Sequence, residues 1–181
     1  AMSPGERREK VTSEIISLYD ILRVRKIAMR KHKGTQAATE GTEIILDEAI
    51  LQDLLPRTYK LELNAKTRMV SLLSADTPHI IAQQRFTKNE WSILIVLFMS
   101  YPHYAPYEML LASVTSLSPA DCRKRIQKAQ LSGSQELKRE LKPVYRAVSG
   151  VRIKLSDLSP SLKVSLIRDL GYALTSCSLN P

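Results

Sequence analysis

The chain has 181 residues, of which 44% are hydrophobic and 25% charged, a composition typical of a globular protein with one core and an appendage. Its 27 Lys and Arg exceed its 18 Asp and Glu, and the net charge of +9 indicates a polyanionic partner, either nucleic acid or an anionic membrane surface. The longest apolar run, residues 93–99, is too short to span a membrane. We therefore expect a cytoplasmic protein rather than a membrane protein.

The residue types that carry catalysis or bind metals form no recognisable pattern. Cys122 and Cys177 are far apart, and the histidines, His32, His79 and His103, have no ligand partners at useful spacing. A phosphate-binding glycine loop, a nucleophile elbow and paired carboxylates are missing from the sequence. We predict no catalytic residue, no metal site and no cofactor.

Positive charge is concentrated in two blocks. Residues 6–33 hold nine Lys or Arg against four Asp or Glu, and residues 121–154 hold ten against three. The sequence between them is less charged. Any polyanion is therefore expected to contact one or both of these blocks.

The first basic block has the pattern of an amphipathic helix. Val11, Ile15, Leu18 and Leu22 are spaced by four, three and four residues, so they form one apolar stripe. A second copy of the chain is one way to cover this stripe, and we predict a homodimer contact through residues 6–31. Packing on the chain's own domain, a DNA-binding arm and a membrane-surface helix are the alternatives.

Residues 35–57 are expected to link this helix to a domain. Residues 35–42 are small and polar, and residues 44–55 have the composition of a short helix or an irregular arm. We assign residues 1–57 to an N-terminal helical extension and linker, residues 58–176 to a domain, and residues 177–181 to a tail.

The domain begins with a β-pattern. Apolar and polar residues alternate from Tyr59 to Leu63, and they alternate again at Val70 and Leu72. The turn residues 64–67 lie between the two runs, which predicts a β-hairpin. A further short strand is predicted near residues 80–85.

Helical signals follow in the next part of the chain. Thr87 and Glu90 form a capping box that opens an apolar helix to about Met99, with Trp91 predicted to be buried. Pro106 opens a second helix, and the pair Ser118-Pro119 opens a basic one that ends near residue 130.

The last helical signals lead into a second hairpin. Residues 134–142 favour a helix, and Pro143 starts or kinks the next one. That helix has a buried stripe of Val144, Val148, Val151 and Leu155. Residues 163–176 then predict a closing β-hairpin.

Three short motifs in this domain have the order and spacing of a known family. They comprise Phe86, Thr87, Glu90, Trp91, Ile93, Leu94 and Leu97; then Val148, Val151, Arg152 and Leu155; then Ile167, Arg168, Asp169, Leu170, Gly171, Tyr172 and Leu174. Over residues 58–176 the chain resembles the OmpR/PhoB-type DNA-binding effector domain. The 57 residues before this stretch are too few for the receiver domain that precedes it in response regulators. We therefore expect an effector domain without a receiver.

The resemblance implies both a fold and a function. The fold is α+β, a winged helix-turn-helix with a small N-terminal antiparallel sheet and a C-terminal hairpin wing, preceded here by the helical extension. The function is that of a non-enzymatic transcription regulator that binds double-stranded DNA sequence-specifically. In that family the loop before the recognition helix contacts RNA polymerase, which implies the same partner for residues 115–142.

The sequence departs from the family pattern at three places. Asp169 replaces a wing glycine, and residues 115–142 are longer than the usual loop. Gly150 lies inside the recognition helix and costs up to about 1 kcal/mol relative to alanine.

Basic and polar residues of the third helix and the wing are the candidate DNA contacts. They are Lys142, Tyr145, Arg146, Ser149, Arg152, Lys154, Arg168 and Tyr172, with Arg123, Lys124, Arg125 and Lys128 as a second cluster. For Tyr145 and Tyr172 core packing is an alternative, and Arg152 is as compatible with an acidic partner within the fold. The alternative function is a protein-interaction adaptor whose basic face binds an acidic partner.

Overall fold

The computed structural model describes residues 43–45, 54–77, 79–100 and 104–176, which have a mixed α+β fold. These residues all belong to one compact unit that spans positions 40–181. The strands are β1 (Glu43–Ile45), β2 (Tyr59–Asn64), β3 (Met69–Ser74), β4 (Ile80–Arg85), β5 (Tyr104–Pro106), β6 (Leu162–Ile167) and β7 (Gly171–Ser176). The helices are α1 (Lys88–Met99), α2 (Tyr107–Val114), α3 (Pro119–Ser132), α4 (Ser134–Glu140) and α5 (Lys142–Leu158). The predicted N-terminal helix, its homodimer contact and the tail lie outside the described residues.

Strands β1 to β4 form an antiparallel sheet in chain order, and the predicted β2–β3 hairpin is confirmed. Its turn is closed by a hydrogen bond of 3.0 Å from the Thr67 amide to the Asn64 side-chain oxygen, and Arg68 takes the left-handed conformation with φ of 56°. Strand β4 covers the predicted residues 80–85. A register shift between Leu72 and Leu73 marks a bulge where β4 joins β3.

Strand β1 differs from the sequence prediction, which gave a short helix or an irregular arm over residues 44–55. Glu43–Ile45 pairs antiparallel with β2, and Ile44 lies opposite Leu63. The sheet thus includes a strand from the segment that the sequence assigned to the extension. Three residues are too few to show a periodicity, so backbone pairing with a distant strand decides their conformation.

Helix α1 begins with the predicted capping box. The Thr87 hydroxyl accepts the Glu90 amide at 3.4 Å, and the Glu90 carboxylate accepts the Thr87 amide at 2.7 Å. The prediction for Trp91 was wrong, because its side chain is only partly buried. The buried residues of α1 are Ile93, Leu94, Val96, Leu97 and Phe98.

Helix α5 packs against both helices and strands of the fold. Its predicted stripe of Val144, Val148, Val151 and Leu155 is buried, and α5 packs against α1, α2, β4 and β6. Pro143 lies in its first turn, as predicted, where a proline costs no intrahelical hydrogen bond. The predicted Ser118 cap of α3 is also confirmed, because its hydroxyl accepts the Asp121 amide at 3.1 Å.

Strands β5, β7 and β6 form a second, three-stranded antiparallel sheet in that spatial order. The closing hairpin β6–β7 was predicted, but β5 was not, because only the helix-opening role of Pro106 was visible in the sequence. Only glycine fits at position 171, since a Cβ there would collide with the Ala105 carbonyl oxygen of β5. The hairpin is therefore joined to the start of α2 through β5.

In the part of the chain that the structure describes, no helix combines the length and the apolar character that crossing a bilayer requires.

Candidate nucleic-acid interface

Four exposed residues of helix α5 form a ridge opposite its buried stripe. Lys142, Arg146, Ser149 and Ile153 are all exposed, and their spacing of four, three and four residues aligns them along the helix. Lys142 and Arg146 have neither an ion pair nor a hydrogen bond among the described residues. Two free cations at the start of a helix, followed by a small polar residue, are suited to contact an anion.

A groove of about 430 Å³ adjoins the start of this ridge. It lies where the N-terminus of α1 meets α4 and α5, and it is lined by Thr87, Asn89, Glu90, Arg139, Lys142, Pro143, Arg146 and Ala147. Arg139 was not among the predicted site residues. Its charge is shared with Glu136 at 2.9 Å, in a pair that is largely exposed. The groove thus adds a third cation beside the two free ones.

Arg152 has an internal role. Its Nε donates a hydrogen bond of 2.9 Å to the Val164 carbonyl of β6, and its guanidinium lies 5.3 Å from the ring centre of Tyr172 in β7. One side chain therefore joins α5 to both strands of the hairpin. This geometry fits the alternative of a partner within the fold, although that partner is a backbone carbonyl rather than an acid.

Lys154 is likewise engaged within the fold. Its Nζ donates to Glu90 at 2.5 Å, with 26% of the lysine and 13% of the glutamate side chain exposed, and it also lies over the Phe86 ring. The sequence grouped Lys154 with the free cations of α5. The ion pair with α1 instead makes it a link between the two helices.

Glu90 is the centre of this link. Burial raises the pKa of its carboxyl, but the hydrogen bond from Lys154 and the Thr87 amide outweigh burial, so that the pKa lies below its ordinary value of 4.5. When folding lowers the pKa of a carboxyl, the ionised carboxyl stabilises the folded state. This contribution is complete at pH values above the ordinary pKa of the group. The contribution disappears as the pH falls through the lowered value.

We expect Glu90→Gln to lower the free energy of unfolding by about 1–3 kcal/mol near neutral pH, because Lys154 loses its charged partner. Since the stabilisation requires an ionised Glu90, the difference from wild type should shrink as the pH falls below the ordinary pKa of 4.5. Urea unfolding at a series of pH values measures this. A difference that stays constant into the acid range would contradict the role of the charge.

Gly150 is explained by the same carboxylate. A Cβ at this position would collide with the Glu90 side chain, so the glycine leaves room for the carboxylate that pairs with Lys154. Glycine lowers the stability of the helix itself, but at this position it leaves space for the ion pair between Glu90 and Lys154.

We expect Gly150→Ala to destabilise the fold by about 1–3 kcal/mol through overpacking, although the same change at an open helix position stabilises by up to about 1 kcal/mol. The matched control is Gly150→Ala in a Glu90→Ala background, where the obstructing carboxylate is gone. There the alanine should be neutral or stabilising relative to Glu90→Ala alone. Equal destabilisation in both backgrounds would refute the collision.

The hairpin beside α5 exposes its turn. Arg168 has 94% of its side chain exposed, with its Nε 4.0 Å from the neighbouring Asp169. Asp169 has φ of 59°, a conformation that favours glycine and that aspartate tolerates better than most residues. The turn is held in place because the Leu170 carbonyl accepts the Tyr107 amide of α2 at 3.0 Å.

Tyr172 is a packing residue. Only 5% of it is exposed, and its ring stands edge-on to Tyr107 at 6.0 Å. Burial raises the pKa of its hydroxyl. The DNA contact predicted for Tyr172 is therefore corrected to its alternative, core packing. Tyr145 also packs edge-on against Tyr107, at 6.4 Å, and is partly exposed.

The second cationic cluster is mostly neutralised within the fold. Arg123 lies 3.5 Å from Glu108, and Arg125 makes two contacts with Glu140, at 2.7 and 3.2 Å. Lys124 and Lys128 of the same helix are exposed and have no partner among the described residues. Of the four cations predicted for this cluster, the two lysines are therefore free and the two arginines are paired within the fold.

Two residues of the interface were missed by the sequence analysis. Ile153 continues the spacing of Lys142, Arg146 and Ser149 by four residues, so that extending this stripe would have found it. Arg139 has no such signal, because it is on a separate helix. Among the described residues, no group of three or more His, Cys, Asp or Glu could hold a metal ion.

Comparison with known proteins identifies no family for this chain. The chain matches no family model, no curated protein and no solved structure.

Proposed function

We propose that the protein is a transcription regulator that binds double-stranded DNA sequence-specifically through a winged helix-turn-helix. In this proposal α5 is the recognition helix in the major groove and β6–β7 is the wing. The observation that carries it is the exposed ridge of α5, where Lys142 and Arg146 have no partner among the described residues. The order of an antiparallel sheet, packed helices and a closing hairpin is the order that the resembling family has.

The exposed cations and the exposed polar residue of α5 would have different roles in binding. Lys142 and Arg146 would neutralise phosphates, and an arginine in the major groove is also able to read guanine through two hydrogen bonds. Ser149 would contact a base edge. Arg168, at the exposed turn of the wing, would reach a phosphate or the minor groove. Arg152 supports these contacts indirectly by holding the wing against α5.

Selection of duplexes from a random library with the full chain tests this proposal. We expect enrichment of a defined sequence, and a linear fall of log affinity with log salt, with a slope of about −0.9 for each phosphate contacted. Absence of both enrichment and binding at low salt would overturn the proposal.

A second candidate function is that of an adaptor for an acidic protein. The observation in its favour is the face of α3, where free Lys124 and Lys128 adjoin Leu131, which is almost fully exposed. RNA polymerase, implied for residues 115–142 by the family resemblance, is one partner that such a face would fit. Binding to an acidic protein that weakens as salt is added, together with no binding to DNA, would favour this candidate over the first.

A further inference from the structure

Helix α5 exposes one large apolar side chain, that of Ile153. It is 63% exposed and lies on the same ridge as Lys142, Arg146 and Ser149. The core of the fold does not use it, because the buried stripe of α5 runs along the opposite face. Its neighbours Arg152 and Lys154 both make contacts inside the fold. Beyond Ile153 the exposed residues of α5 are Ser156 and Asp157, so Ile153 is an apolar group between the two cations and a carboxylate.

The dimensions of the ridge match those of a short DNA site. At a rise of 1.5 Å per residue, the seven steps from Arg146 to Ile153 span roughly 10 Å along the helix axis. This is about three base pairs at 3.4 Å each. If Arg146 contacts one base or phosphate, Ile153 lies a few base pairs further along the same groove.

Only one feature of the major groove is apolar. Guanine, cytosine and adenine present hydrogen-bonding groups there, whereas thymine also presents its C5-methyl group, which apolar side chains contact. The charge of the ridge favours an anionic occupant, because Lys142 and Arg146 would remain unpaired against an apolar protein surface. Double-stranded DNA is the anion of the proposed function, and its major groove also offers an apolar contact.

We infer that Ile153 is a specificity-determining residue that packs against the C5-methyl group of a thymine in the bound site. The inference rests on the proposed function, and it adds a base that the protein would require. Because the contact involves one side chain and one methyl group, the effect should be confined to one or two positions of the duplex.

The test replaces single thymines of a selected duplex by uracil, which removes the methyl group and leaves the base pairing unchanged. Affinities are measured for the wild-type chain, for Ile153→Ala and for Ile81→Ala, the last being a control at another exposed aliphatic residue. We expect one uracil to weaken wild-type binding about fourfold, the equivalent of about 0.8 kcal/mol for one buried methyl-sized group. The same uracil should weaken Ile81→Ala equally and leave Ile153→Ala unaffected.

The outcomes separate this inference from the proposed function. Selected duplexes without a recurring thymine, no uracil effect, or a uracil effect that persists in Ile153→Ala would overturn the inference while DNA binding stands. If the wild-type chain binds no duplex, both fail. A self-association that Ile153→Ala abolishes, with unchanged DNA affinity, would assign the face to a second copy and would overturn the inference as well.

Discussion

Phe86→Ala is expected to lower the free energy of unfolding by about 3–5 kcal/mol. Only 1% of Phe86 is exposed, at the junction between β4 and α1, and Lys154 lies over its ring. Its backbone is fixed as well, since its amide donates to the Arg68 carbonyl at 2.8 Å and its carbonyl accepts the Arg68 Nε at 3.3 Å. The surrounding structure therefore has little freedom to fill the cavity. A destabilisation of this size is comparable to the whole stability of a marginal domain.

Trp91→Ala is the matched control for Phe86→Ala. The sequence indicated that Trp91 would be the buried aromatic of α1, but its side chain is partly exposed and so contributes less surface to the core. We expect its replacement to cost clearly less than that of Phe86. Urea unfolding followed by far-UV circular dichroism measures both variants without relying on the tryptophan signal. A larger cost for Trp91 than for Phe86 would contradict this arrangement of the core.

The elements predicted correctly from the sequence are those that local interactions determine. The Thr87–Glu90 capping box, the Asn64 turn and the Ser118 cap each join residues three positions apart. The buried stripe of α5 follows from helical periodicity alone. Such features need no knowledge of the rest of the fold, so a single sequence is sufficient to find them.

The elements that were missed depend on distant partners. Strands β1 and β5 have three residues each, and they exist because they pair with β2 and β7. From the sequence alone, Gly150 is only a residue that lowers helix stability. Its neighbour in space, Glu90, is 60 positions earlier in the chain, so the sequence does not show the space that the glycine leaves for it. Its benefit becomes visible only when α1 lies against α5.

The same distinction applies to the candidate site. Lys142, Arg146, Arg152 and Lys154 all lie outside the buried stripe, so helical spacing cannot separate them. The hydrogen bond of Arg152 joins residues 12 positions apart, and that of Lys154 joins residues 64 positions apart. Tertiary packing therefore decides that the first two are free to bind a ligand while the last two stabilise the fold.

Simultaneous replacement of Lys142 and Arg146 by alanine is expected to have the largest effect on DNA affinity. Both side chains are exposed and have no partner among the described residues, so their removal should leave stability nearly unchanged. Each phosphate that the variant no longer neutralises should reduce the slope of log affinity against log salt by about 0.9. If Arg146 reads a guanine, discrimination at that position should also fall by about 1–3 kcal/mol. Fluorescence anisotropy with a selected duplex at several salt concentrations measures both quantities.

The double replacement of Lys124 and Lys128 by alanine is the charge-matched control. It also lowers the net charge of the chain from +9 to +7, but the two lysines are on α3. If affinity depended only on total charge, both double variants would be weakened by the same factor and show the same change in salt slope. We expect the affinity of the α5 variant to fall at least tenfold further than that of the α3 variant, which corresponds to about 1.4 kcal/mol. A helix that binds in the groove makes its phosphate contacts where the duplex lies, so its cations should matter more than cations elsewhere. Equal losses of affinity in the two double variants would therefore contradict the assignment of α5 as the DNA-contacting helix.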